Sequence, residues 1–313
     1  MINLKNLKKL FNYGPIVDIM YEFNGVVRHV YAYCGWYSLT GSIKDRVAYQ
    51  IFSDAIKNNT INPKTKVVEV SSGNMGISVC AIANLLGLET TIIMPKTMSE
   101  ERKKLIKLYG ANLVLVDNFI EAFKLCEKYE QDGCFCPHQF DNASNLDSHY
   151  LFTGKEIYKK LKDENLSSFV AGIGTSGTLV GAGLYLKEKM NLDIIALEPK
   201  NAPILSKSAP LRKHEIQGLS DEIVPKIYDE NIVDKIIQID DIDAIAMSQK
   251  LCKELALGVG ISSGANFLGC ILSNNDSVTV FPDCNKKYLS TKLSQKVESS
   301  LVDKIHLLSV IVL

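Results

Sequence analysis

Several features that would point to a partner or compartment are missing from this sequence. There is no excess of charge of either sign, since 35 Lys and Arg stand against 35 Asp and Glu. Dispersed basic residues on a neutral chain leave no electrostatic footprint for nucleic acid or an anionic membrane, so the expected partner is a small molecule. The 8 cysteines form no C-x-x-C pair, and the N-terminus shows no basic stretch, apolar run and small-residue cleavage site of a signal peptide. Both absences predict a reducing, cytoplasmic setting. No apolar run is long enough to cross a membrane, although residues 305–313 end the chain unusually apolar and read as a packed strand or subunit contact. Repeats at solenoid periods and low-complexity segments are also lacking. The one tempting metal pattern, Cys134-Phe135-Cys136-Pro137-His138, reads better as a short strand with core thiols on one face, and no metal is expected.

What is present is an alternation of strand and helix. After a helix-like start, two short strands flank Gly25. From residue 67 the pattern runs strand 67–70, helix 77–86, strand 90–94, a helix from Glu100 begun by the Thr97/Glu100 capping spacing, strand 113–116 and helix 120–129. A polar connector at 137–148 precedes a second series: helix 150–161, strand 168–171, helix 179–190, strand 193–197, strand 235–239, helices 242–255 and 265–272, strand 278–281 and a last helix from Lys287. Such alternation predicts doubly wound parallel sheets covered by helices. At 313 residues, two domains are expected, a smaller one over 37–144 and a larger one from 1–36 plus 145–313.

In open parallel sheets ligands bind beyond the carboxyl ends of the strands, so the strand-to-helix turns carry the information. Ser71-Ser72-Gly73-Asn74-Met75-Gly76 offers hydroxyls, an amide and helix-start N–H groups, a neutral donor cluster for a carboxylate or ring oxygen. Gly172-Ile173-Gly174-Thr175-Ser176-Gly177-Thr178 combines backbone N–H groups with hydroxyls, which suits a terminal phosphate. The same segment satisfies G-x-G-x-x-G, but it lies mid-chain with a hydroxyl-crowded loop, a poor match to a dinucleotide site. Phe281-Pro282-Asp283-Cys284 closes the last central strand. Lys44 opens an amphipathic helix after Gly41 and, taken alone, reads as a surface lysine, a phosphate ligand or a Schiff-base amine.

Together, an amine, an oxygen partner, a phosphate cradle and a polar residue after the last strand are what pyridoxal phosphate requires. The chain here resembles the cysteine synthase and cystathionine β-synthase family, the fold-type-II pyridoxal phosphate enzymes. The resemblance runs from Gly41 to Thr291. It rests on Thr40–Arg46, Ser71–Gly76, His138-Gln139-Phe140, Gly172–Thr178, Ile216-Gln217-Gly218 and Pro282-Asp283-Cys284 with Tyr288-Leu289-Ser290-Thr291. It implies a tryptophan synthase β-subunit-like fold. Lys44 would hold pyridoxal 5'-phosphate and act as base on the substrate Cα. Asn74 would contact the ring 3′-oxygen, and Gly174, Thr175, Ser176, Gly177 and Thr178 the phosphate. Ser71, Ser72 and Gln139 would bind the substrate carboxylate, with Met75 beside them as a departure that adds apolar bulk. Cys284 stands where the family commonly has Ser at the ring nitrogen.

The implied activity is β-replacement or β-elimination on a serine- or cysteine-type amino acid through an aminoacrylate, either cysteine synthesis from O-acetylserine and sulfide or L-cysteine consumption by a lyase or condensing enzyme with release of hydrogen sulfide. Asp221 and Glu222 replace a small, glycine-rich run of many sulfhydrylases, and carboxylates there would repel sulfide and activate water or a thiol. The resemblance further implies a homodimer and a docking site for the serine acetyltransferase tail, against which those carboxylates stand. A nicotinamide-dependent dehydrogenase and a non-catalytic binding protein are the readings from other classes.

Overall fold

The computed structural model describes residues 4–10, 14–71, 73–220 and 223–313. Ser72, Asp221 and Glu222 lie outside the described residues, so the expectations placed on them have no structural account. In the first strand pair, β1 (Ile16–Phe23) and β2 (Val26–Cys34), Asn24 and Gly25 both take positive φ, 53° and 76°. That is the geometry a two-residue hairpin needs to match the twist of its strands.

The alternating series follows as β3 (Val67–Val70), β4 (Thr90–Pro95), β5 (Asn112–Val116), β6 (Ser168–Gly172), β7 (Asp193–Pro199), β8 (Lys235–Ile239) and β9 (Ser277–Phe281), and the chain closes with β10 (Ile305–Val312). Two sheets result. One has the order β3-β4-β5, and the other β10-β1-β2-β9-β6-β7-β8. Every pairing from β2 to β8 is parallel, whereas β1 pairs antiparallel with both β2 and β10. The apolar tail is thus an edge strand.

Helices α1 (Lys44–Lys57), α2 (Asn74–Leu85), α3 (Glu100–Leu108), α4 (Phe119–Gln131), α5 (Ala143–Ser148), α6 (Lys155–Leu161), α7 (Gly183–Lys189), α8 (Asp241–Leu255) and α9 (Ile261–Ser273) cover the sheets. In β6 the side chains alternate: Val170 belongs to the cluster with Leu197, Phe267 and Leu268 of one face, Phe169 and Ala171 to that with Ile157, Leu179 and Leu186 of the other. A strand buried on both faces reads as a continuous apolar run, which is why the central strands are short and aliphatic. The smaller sheet packs α1 and α2 on one side through Phe52, Ile77 and Ile92, and α4 on the other through Phe119, Ala122 and Cys126.

Several local expectations differ from what is found. Helix α3 is preceded by Ser99, not Thr97, and the Ser99 hydroxyl donates to the Lys287 carbonyl at 2.7 Å instead of capping the helix. No α-helix starts at Lys287; Asn285–Lys287 is a single 3-10 turn, and β10 takes up the apolar residues beyond it. The helices expected at 150–161 and 179–190 each begin with a π-helical turn, His149–Gly154 and Gly177–Ala182. These two turns pack on each other where Gly181 passes Leu146 and His149, too closely for a Cβ. The connector at 137–148 contains α5, capped by the Asn142 side chain.

Candidate active site

The lysine turn is fixed to the end of β9. Ile43 N–H donates to the Pro282 carbonyl at 2.8 Å, and Ser42 forms a bridge with Asp283. From the other side Asp45, fully buried, accepts from Thr40 N–H and from the Thr40 and Ser78 hydroxyls at 2.6–2.7 Å. With its neighbours held this way, Lys44 projects into a cleft between the sheets and its Nζ donates to Thr175 Oγ1 at 3.0 Å.

Opposite lies the 172–178 loop after β6. Ser176 takes a left-handed φ of 69°, and its buried hydroxyl has no partner. A Cβ on Gly177 would lie 1.9 Å from Asn145 Oδ1, and one on Gly174 would lie 2.3 Å from the Gly218 carbonyl. Both positions demand glycine because another chain segment fills the space. Asn145 in turn donates to Thr175 Oγ1 at 2.9 Å and to the Gln139 carbonyl at 2.8 Å, tying this loop to the 137–140 turn. Thr178 meets His149 Nε2 at 3.3 Å. Burial, reinforced by Lys44 and Arg46, holds the His149 imidazole well below its ordinary pKa, so it is neutral.

Asn74, the first residue of α2, sits in a charged network. Its amide donates to Asp283 Oδ2 at 2.7 Å and accepts from Lys287 Nζ at 3.0 Å. Asp283 also receives the Tyr288 hydroxyl at 2.9 Å and has Arg102 Nη2 at 3.6 Å. The Arg102 guanidinium stacks over the Tyr288 ring at 4.3 Å and donates to Gln217. Gly73 has a φ of 149°, and a Cβ there would strike Arg102 Cδ at 2.0 Å. The turn is therefore bare so that the arginine can cross it. Burial drives the Lys287 ammonium below its ordinary pKa, against the pull of Asp283 and Asp45. An amine with a depressed folded-state pKa binds fewer protons folded than unfolded, so stability rises with pH up to about 10.5. We predict that the unfolding free energy of wild type relative to Lys287→Met grows with pH in the window just below 10.5, the unperturbed lysine value. A pH-independent difference in urea titrations would contradict this.

Lys44, Asn74, Met75, Gln139, Gly174, Thr175, Ser176 and Thr178 all line the one cleft. Gln139 also donates to the Val70 carbonyl at 2.9 Å. Ser71 is turned differently, its Oγ accepting from Gly73 and Gly76 N–H at 3.0 and 2.8 Å, so that it shapes the turn from behind. Cys284 is half-buried and pairs through its backbone with Val259; Ser262 and Asn266 line the cleft on that wall. Arg102, Asn145, His149 and Lys287 escape a reading of the sequence. Each is an ordinary-looking residue whose partner is remote, and only the glycines at 73 and 177 hint at what crosses above them.

A family profile described as "Pyridoxal-phosphate dependent enzyme" matches residues 15–283. The chain belongs to this family. It is similar to cysteine synthase of Staphylococcus aureus (strain N315), 35% identical over 300 residues, 92% of this chain and 96% of that protein. Similarity to cysteine synthase B of Campylobacter jejuni is 38% over 276 residues, covering 85% and 91%. Among solved structures, a hydrogen sulfide-producing enzyme from Fusobacterium nucleatum superposes with a TM-score of 0.93 at 38% identity, over 98% of each chain. Cysteine synthase from Entamoeba histolytica gives 0.84 at 30%, over 97% and 94%. The protein is thus a fold-type-II, cysteine synthase-like enzyme of transferase or lyase type that uses pyridoxal phosphate. The cleft fits that group. The 174–178 loop has backbone and hydroxyl donors with an unmet buried hydroxyl, and an amine and an amide face the space beside it.

Proposed function

We propose that this enzyme acts on L-cysteine, cleaving the Cβ–S bond with release of sulfide, and that cysteine synthesis from O-acetylserine and sulfide is the second reading. The reaction class is supported by the convergence of Lys44, Asn74 and the 174–178 loop on one cleft. Sulfide release is favoured by the likeness to the F. nucleatum enzyme along the whole of both chains.

In this reading Lys44 holds the cofactor, Asn74 meets its 3′-oxygen, and Gly174, Thr175, Ser176, Gly177 and Thr178 take its phosphate. Bound pyridoxal phosphate supplies an electron sink for charge developing at the substrate Cα. Lys44 Nζ would take the proton from the substrate Cα, with Thr175 Oγ1 orienting the amine. Asp283 and Lys287 clamp both ends of the Asn74 amide, so it presents one fixed face without reorganising. Gln139 binds the substrate carboxylate, and Met75, 2% exposed, keeps water from one wall. The family resemblance gives Asp221 and Glu222 the role of directing water, not anionic sulfide, to Cβ. The two sheets would mark two domains, 37–144 and 1–36 plus 145–313, in a cytoplasmic homodimer.

The test is product analysis. Wild type given L-cysteine alone should release sulfide, with serine or pyruvate as the carbon product, faster than it makes cysteine from O-acetylserine and sulfide. Asp221→Asn and Glu222→Gln should slow sulfide release by ~10²-fold or more, as loss of a general base does. Efficient cysteine synthesis, unchanged in both variants, would return the protein to the second reading.

A further inference from the structure

Behind the smaller sheet, away from the Lys44 cleft, sulfur and oxygen donors gather in a way the reaction does not use. Cys126 and Glu130 are four residues apart on α4 and so share a face. Against them comes Cys136, from the segment whose Phe135 bridges to Val67 of β3. The two Sγ atoms are 3.2 Å apart, and both lie within 4.8 Å of a Glu130 carboxylate oxygen. His138 Nε2 is 2.5 Å from Glu130 Oε1 at the outer side. On the inner side Glu69 of β3, 2% exposed, lines the same cavity of about 490 Å³, and its Oε2 has no hydrogen-bond partner. A core of packed thiols explains Cys126 and Cys136 but not a buried carboxyl oxygen left unmet beside them.

We propose that Cys126, Cys136 and Glu130 bind a soft divalent cation of the Zn²⁺ class, in a cavity that the unpartnered Glu69 Oε2 also lines. Two thiolates and a carboxylate suit such an ion. Bonds of about 2.3 Å to sulfur and 2.0–2.2 Å to oxygen put tetrahedral donors roughly 3.5–3.8 Å apart, so the sulfurs need separate by only about half an ångström. On binding, each thiol gives its proton to solvent and the metal takes its place. His138 is the outer partner that orients the Glu130 carboxylate. The ion would fasten α4 to the 134–140 segment and so to Gln139, which lines the cleft.

The experiment is titration of the reduced holoenzyme with Cd²⁺, following thiolate-to-metal charge transfer in the ultraviolet, and with Zn²⁺ by calorimetry. One equivalent should bind tightly. Glu130→Gln, at a partly exposed position that leaves the core intact, should weaken binding by more than the roughly 10–100-fold lost with an outer-shell partner. The Cys126→Ser/Cys136→Ser double variant should abolish the charge-transfer band, and Cys252→Ser, at an exposed thiol elsewhere, should leave it unchanged. No stoichiometric binding by wild type, a band that survives the double variant, or a 126–136 disulfide with no cation uptake after reduction would overturn the proposal.

Discussion

Lys44→Ala is expected to abolish the visible absorption of the bound cofactor and to lower turnover by at least ~10³-fold, within the range for loss of a positioned base and beyond it if covalent attachment also matters. The fold should survive, because Lys44 Nζ reaches into the cleft, where it donates to Thr175 Oγ1. The rest of the turn keeps its own anchors, Ile43 on Pro282 and Asp45 on Thr40 and Ser78. The measurement is an absorption spectrum of the purified variant beside its far-ultraviolet circular dichroism. A persistent visible band with no added amine would mean that another lysine holds the cofactor, and the roles given to the cleft would have to be redrawn.

Gly177→Asp should purify nearly free of cofactor. The first methylene of the new side chain would fall 1.9 Å from Asn145 Oδ1, displacing the amide that holds Thr175 and the Gln139 carbonyl. Its carboxylate would then face a phosphate dianion. Gly177→Ala separates the two causes, since it carries the collision without the charge. It should retain cofactor weakly, and raising pyridoxal phosphate in the buffer should restore it more readily than in Gly177→Asp. Cofactor content is read by alkaline release and absorbance. Unchanged content in both variants would remove the phosphate from this loop.

The strand–turn–helix series and the turns that line the cleft were legible because they are local. Val67–Val70 is valine-rich and stops at a Ser-Ser-Gly turn, and Ser168–Gly172 is apolar in its middle and ends on glycine; short β-branched or apolar runs bounded by such turns announce buried parallel strands whatever the rest of the chain does. The cleft's supporting residues were not legible, for a physical reason. Arg102 sits in the stretch Glu100-Glu101-Arg102-Lys103-Lys104, where nothing separates it from its exposed neighbours, yet it is 2% exposed and stacks on Tyr288. Its burial is decided by a partner nearly two hundred residues away. Asn145 looks like connector composition and is in fact wholly buried between two loops. Thr97 has the right spacing for a cap, but the residue at the helix start is Ser99, whose hydroxyl is turned to donate to the Lys287 carbonyl and caps nothing. No α-helix follows Lys287: Tyr288 and Val302 join the core of the larger sheet through short turns, and the open edge of β1 takes β10.

The order of strands in the larger sheet sets when the protein can become whole. β9 lies between β2 and β6, so the N-terminal hairpin and the β6-β7-β8 unit have no common neighbour until residues 277–281 exist. The last pairing, Val17 with Val312, closes almost the entire chain into one loop. Contacts so distant in sequence are slow to form, because their closure entropy must be met before they return any stabilisation. The three-stranded sheet, contiguous within 67–116, can assemble while the ribosome is still adding residues. The Asn74–Asp283 bond then joins an early half to a late one. A nascent chain would therefore carry a finished small sheet and an unfinished cleft, and would become able to retain its cofactor only once residues 277–283 had emerged.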